Sequence, residues 1–273
     1  MNLQNWYRKQ GVVEVVRLIA VTCSAIALAS CRNELSRFVA ERQPEKNRPT
    51  FADWCRDRKN LSPEAKKTVQ ELLRVARTAD CDAANQKLSS LTELSFRKNS
   101  GISDLKPLQS LTNLTILTVQ ANQVSDIKPL ESLTKLTGLY LLNNQISDIK
   151  PLKSLTKLRR LDLKDNQVSD IRPLESLTNL RRLYINENQI SDITPLRALT
   201  ELRRLNLNNN KISDITPLQS LTELNFLHLS NNEISDIKPL QSLKRLEIIK
   251  IKNNKIRDFK PLKYFSKSTS VEI

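Results

Sequence analysis

The stretch LTKLTGLYLLNNQISDIKPLKS, residues 133–154, is one complete unit of the repeat that decides the fold. Leu133, Leu136, Leu139, Leu141, Ile146, Ile149 and Leu152 form its apolar ladder, with Asn144, Asp148 and Pro151 at fixed places between them. Outward from this unit, prolines recur at Pro107, Pro129, Pro151, Pro173, Pro195, Pro217, Pro239 and Pro261, each step being 22 residues and each proline being followed by leucine. The asparagine returns at Asn122, Asn144, Asn166, Asn188, Asn210, Asn232 and Asn254. One unit cannot bury its own leucines, so each must stack on its neighbours and the whole forms a solenoid.

The spacing within the unit has a physical reading. Leu139 and Leu141 point to one side of a strand, and Tyr140 and Leu142 to the other. Asn144 ends the strand, its short amide suited to bonding backbone where the chain turns, in its own coil or the next. Ile146, Ile149, Leu152 and Leu155 follow at intervals of three, which fits a 3₁₀ turn. Asp148 stands just before that turn and can accept an otherwise orphan backbone N–H. Pro151 sets the backbone near the start of the turn, where a missing donor costs little. The predicted architecture is a curved α/β solenoid with parallel strands on its concave face and 3₁₀ turns on its convex face. The strands are predicted at 94–96, 117–119, 139–141, 161–163, 183–185, 205–207, 227–229 and 249–251. At ~4.8 Å per strand the sheet extends roughly 34 Å.

These residues carry the leucine-rich repeat signature, and from about Leu88 to Lys263 the 22-residue period resembles that of the bacterial internalins. The resemblance implies a non-enzymatic binding role, though such repeats serve many unrelated partners. The first coil departs from pattern. Leu88, Leu91, Leu94, Phe96 and Asn99 fit, but Ser100-Gly101-Ile102 adds a residue that Gly101 is expected to absorb in a bulge. The repeats are expected to span 88–265, with Tyr264 and Phe265 covering the last leucines and 266–273 forming a loose tail.

The N-terminal part reads differently. Arg8 and Lys9 precede the uncharged stretch Leu18–Ser30, shorter than the ~20 residues that span a bilayer. A basic start, a short apolar core and small residues match an export signal over 1–30. Leu28-Ala29-Ser30-Cys31 resembles the bacterial lipoprotein box, which implies lipid on Cys31 and a membrane anchor. Ala27-Leu28-Ala29 alternatively fits cleavage before Ser30. Residues 31–49 are charged and polar and read as a tether. Residues 50–87 read as a helical cap: Thr50 and Asp53 make a capping box, and Ser62-Pro63 starts a longer helix with Ala65, Val69, Leu72, Leu73 and Ala76 along one side. Asp82 is predicted to cap a third helix. If the chain is exported, Cys55 and Cys81 remain as a pair able to form a disulfide.

Composition narrows the function. Three glycines argue against glycine-rich nucleotide folds, and one histidine leaves no cluster for zinc or iron, so no cofactor or metal is expected. Forty-four basic residues against 29 acidic ones give a net charge of +15, which favours acidic partners. An aromatic fraction of 4% argues against stacking-based nucleic-acid binding. Asp126, Asp148, Asp170, Asp192, Asp214 and Asp236 form a ladder that invites a calcium reading, but each occupies the capping place its turn requires.

Variation on the strand face is free to encode a partner. Arg159-Arg160, Arg181-Arg182 and Arg203-Arg204 recur just ahead of three successive strands, and the period sets them side by side as a basic stripe. Tyr140, Tyr184, Asp162 and His228 stand beside it, with Asp162, Asp165 and Glu187 expected to offset part of its charge. Arginine forks suit carboxylate or phosphate, and the tyrosines add broad contact area. The expected function is a non-enzymatic binding module at the cell envelope, engaging a protein or an anionic envelope polymer on its concave face. The alternative is a cytosolic regulatory or scaffolding repeat protein.

Overall fold

A chain that meets the same apolar ladder every 22 residues lays each coil against the last. The computed structural model describes residues 49–266 and 269–273; the predicted export signal, Cys31 and nearly all of the tether lie outside the described residues. Nine three-residue strands form one parallel sheet in sequence order. They are β1 (Glu93–Ser95), β2 (Ile116–Thr118), β3 (Gly138–Tyr140), β4 (Arg160–Asp162), β5 (Arg182–Tyr184), β6 (Arg204–Asn206), β7 (Phe226–His228), β8 (Ile248–Lys250) and β9 (Ser270–Glu272). Behind the strands, 3₁₀ turns run from Lys106–Leu108 in the first coil to Lys260–Tyr264 in the last. Leu117, Leu139, Leu161, Leu183, Leu205 and Leu227 stand in register at the strand centres and are almost wholly buried.

Each strand begins one residue earlier than the sequence predicts, because its middle residue is the central leucine and not the residue after it. Backbone pairing nonetheless runs past the strand ends, as in Leu141 N–H to Asp162 O at 2.8 Å and Asn143 N–H to Lys164 O at 2.8 Å. The buried asparagines tie coils together. Asn166 donates from Nδ2 to Leu163 O and Lys164 O of its own coil and to Leu141 O of the preceding one, and its Oδ1 accepts from Ile146 N–H at 3.0 Å. The partner coil is thus the preceding one, not the next. Just before the ladder asparagine the chain passes through the left-handed region, at Asn143, Asn209, Asn231 and Asn253 among others, where asparagine is tolerated best after glycine. Gly101, at φ 72°, absorbs the extra residue of the first coil as its place in the sequence suggests.

The aspartate ladder does what the turn requires. Oδ1 of Asp148 accepts from Lys150 N–H at 2.9 Å, and Asp126, Asp170, Asp192, Asp214 and Asp236 repeat the bond two residues ahead. Serine hydroxyls add a second ladder: Ser154 Oγ donates to Pro151 O in its own coil and to Glu131 O in the coil before.

At the N-terminal end α1 (Phe51–Arg56), α2 (Pro63–Ala76) and α3 (Cys81–Ser90) cover the first coil. Thr50 and Asp53 form the expected capping box, and Ser62 Oγ caps α2. Asp80, not Asp82, caps α3, since its carboxylate reaches Ala83 N–H at 2.7 Å. Asp82 is the second residue of the helix and pairs with Arg56. Phe51, Cys55, Val69 and Leu72 are buried, and Thr68 Oγ1 donates to Asp104 O at 2.6 Å, joining cap to coil. Cys55 and Cys81 form a disulfide between α1 and α3, 26 residues apart in sequence. Closing a loop of that size in the unfolded chain stabilises by roughly 3–4 kcal/mol.

The C-terminal end differs from expectation. Residues 270–272 are not a loose tail but a ninth strand, with Val271 in register with Ile249. Phe265, Leu262 and Val271 pack against the last leucines, whereas Tyr264 turns outward and is 53% exposed. Glu272 fastens the strand through Lys250 at 2.8 Å and Lys252 at 3.0 Å, and these two ammonium groups hold its carboxyl down to about 2.

Candidate functional site

The parallel register converts the 22-residue period into columns on the strand face. Arg160 stands beside Arg182, and Arg182 beside Arg204, each as the first residue of its strand rather than just ahead of it. Two residues on, Tyr140, Asp162, Tyr184, Asn206, His228 and Lys250 make a second column, again in register. Arg159, Arg181 and Arg203 flank the arginine column on the exposed side of the strand start. The structure therefore brings Tyr140, Arg160, Asp162, Arg182, Tyr184, Arg204 and His228 into columns on the strand face, and leaves Arg159, Arg181 and Arg203 exposed just ahead of the strands.

Neighbouring strands lie ~4.8 Å apart, so like charges in register repel. Among the described residues no carboxylate lies within ion-pair range of Arg160, Arg182 or Arg204; the stripe's one such contact is Arg181 to Glu201 at 3.8 Å. The offset expected from Asp162 and Glu187 goes elsewhere. Glu187 pairs with Lys164 at 3.3 Å, and Asp162 accepts from Lys164 N–H at 3.0 Å. Burial pushes the Asp162 carboxyl above the usual aspartate range, against the smaller pull of that bond.

The column continues beyond the arginines. Adding 22 to Arg204 gives Phe226 and then Ile248; subtracting 22 from Arg160 gives Gly138 and then Ile116. The sequence reading missed these positions because isolated apolar residues near a leucine ladder look like core. The period itself was the available signal. Arg204 Cζ lies 4.2 Å from the Phe226 ring centroid, a cation–π contact that fixes its guanidinium. At Gly138 the Tyr140 ring takes the space a side chain would fill: a Cβ there would lie 3.4 Å from it.

His228 stands between Asn206 and Lys250. Burial first, and Lys250 second, push its imidazole below the ordinary value of 6.5, with Glu272 pulling weakly the other way. Among the described residues no three metal-ligating side chains converge.

A family model for leucine-rich repeats, two copies each, matches residues 89–132, 134–176, 178–220 and 222–264. Among solved structures, an internalin of Listeria monocytogenes is 34% identical, with a TM-score of 0.64, over 79% of this chain and 70% of that one. Internalin C2 of the same organism is 32% identical, with a TM-score of 0.70, over 83% of this chain and 96% of that one. A leucine-rich repeat protein of Leptospira interrogans shares the fold at 24% identity, with a TM-score of 0.63, over 70% and 50% of the two chains. Comparison with curated protein sequences gives no match.

The depressed His228 value has a direct consequence. As pH falls through about 6.5 the unfolded chain takes up a proton before the folded one does, so stability present above that pH is lost below it. Urea unfolding near pH 7.5 and near pH 5.5 should show a smaller acid loss in His228→Asn than in the wild type. Equal losses would contradict the placement of this ring.

Proposed function

Because the chain belongs to the leucine-rich repeat family, in its internalin-like class, we propose that it is a non-enzymatic binding module at the cell envelope whose strand face engages an acidic macromolecule. The observation that carries this reading is the arginine column, three guanidinium groups on adjacent strands with no carboxylate of the described residues in range. A fold gains nothing from such repulsion, whereas an anionic ligand is met by three rigid donor forks at once. Tyr140 and Tyr184 add amphipathic area on either side of Asp162.

Export through the N-terminal segment, with lipid on Cys31, is the address we propose. The Cys55–Cys81 disulfide supports it, since such bonds persist in oxidising compartments. The same bond argues against the cytosolic scaffolding alternative.

Two measurements test these readings. A heparin oligosaccharide and polyglutamate, as polyanion probes, should bind the full chain with an affinity that falls as salt rises. The Arg160→Ala, Arg182→Ala, Arg204→Ala variant should lose at least about tenfold of that affinity while keeping its melting temperature, on the scale of losing charge-assisted anchors. Absence of binding to both probes, or unchanged affinity in the folded variant, would contradict the acidic-ligand reading. For the address, the intact mass of protein from its native membrane should match a lipid-bearing chain beginning at Cys31. A chain beginning at Ser30, or an unprocessed Met1 form, would contradict it.

A further inference from the structure

The positive charge of the strand face is confined. Beyond Phe226, Lys250 and Lys252 are already occupied by Glu272 at 2.8 and 3.0 Å. Toward the other end, β2 and β3 carry Ile116, Thr118, Gly138 and Tyr140, none of them charged at neutral pH. What remains is a basic centre over β4, β5 and β6, about 10 Å along the stacking direction, with an apolar step on each side. One step is Phe226 and Ile248, both half-buried and in register. The other is Ile116 with the Tyr140 ring lying over Gly138.

A uniformly charged polymer fits this pattern poorly. Past the three arginines it would lay unmatched charges on apolar surface and lose their hydration without compensation. A polypeptide with acidic residues between apolar ones matches both the centre and the flanks. We propose that the strand face takes an extended polypeptide segment lying across the strands, its acidic side chains on Arg160, Arg182 and Arg204 and its apolar ends on Phe226–Ile248 and Tyr140–Ile116. The proposal rests on the acidic-ligand reading above and adds the class of partner. From β2 to β8 is six strand steps, about 29 Å, which an extended chain at ~3.4 Å per residue covers with nine or ten residues. The stack of Arg204 on Phe226 marks the border where the ligand changes from acidic to apolar.

The test uses the full chain and a ten-residue peptide with four central glutamates between phenylalanine and leucine ends. Its control is the same peptide with serine at both ends, and a heparin oligosaccharide of matched charge serves as the polymer arm. The wild type should bind the apolar-ended peptide at least about tenfold more tightly than the serine-ended one. Ile248→Ser and Ile116→Ser should shrink that preference while leaving affinity for the serine-ended peptide unchanged. The arginine triple variant should lose both peptides. Equal affinity for the two peptides, or tighter binding of heparin than of the apolar-ended peptide, overturns this inference and leaves the acidic-ligand reading standing. Failure of every probe to bind the wild type overturns both.

Discussion

The structure depends on one constraint: a coil of this chain cannot satisfy its own buried groups. Asn166 illustrates it, with half of its amide bonds made to Leu141 and Ile146 of the coil before. Its neighbour Asn144 does the same with Val119 and Val124. An unsatisfied buried amide costs more than its bond is worth once formed, so each coil is held in one register against the next. The leucine ladder alone would allow a coil to slide; the amide ladder does not.

Fixed register is what makes a face out of a list of residues. Once every coil is in phase, a residue type repeated at 22 becomes a column, and Arg160, Arg182 and Arg204 are forced together whatever their mutual repulsion. The core is indifferent to what stands on the outer side of the strands. The outer face is therefore where the sequence departs most freely from its own repeat, and where Asp162, Tyr184, Asn206 and His228 take turns at one position. A stabilising scaffold and a destabilising charge column coexist because different sides of the same three-residue strands carry them.

The period made most of this legible before any coordinates. It located the strands to within a residue and the capping aspartates, because stacking leaves little choice once the leucines are known. The ninth strand was equally periodic, with Val271 and Ile273 standing 22 residues after Ile249 and Ile251, but Ser270 and Glu272 carry no leucine pattern of their own beside it. Phe226, Ile248 and Ile116 were hidden for a different reason: their types belong to the core, and only the register shows that they face outward. The fate of Asp162 and Glu187 was not legible at all, since the position and reach of Lys164, and not sequence spacing, decide it. The capping of α3 by Asp80 turned on a two-residue boundary shift of the kind that helix starts commonly show.

The central relation is between the arginine column and the fold that carries it. The column opposes folding slightly, and the proposed acidic ligand is what would offset it. Reversing its middle charge tests this most directly. Arg182→Glu places a carboxylate in register between Arg160 and Arg204 and turns two repulsive pairs into attractive ones, each worth about 0.2–1 kcal/mol across a sheet. The expected result is a higher melting temperature together with loss of binding to the polyglutamate and heparin probes. A melting temperature that stays the same or falls, with probe binding retained, would contradict both halves of the relation.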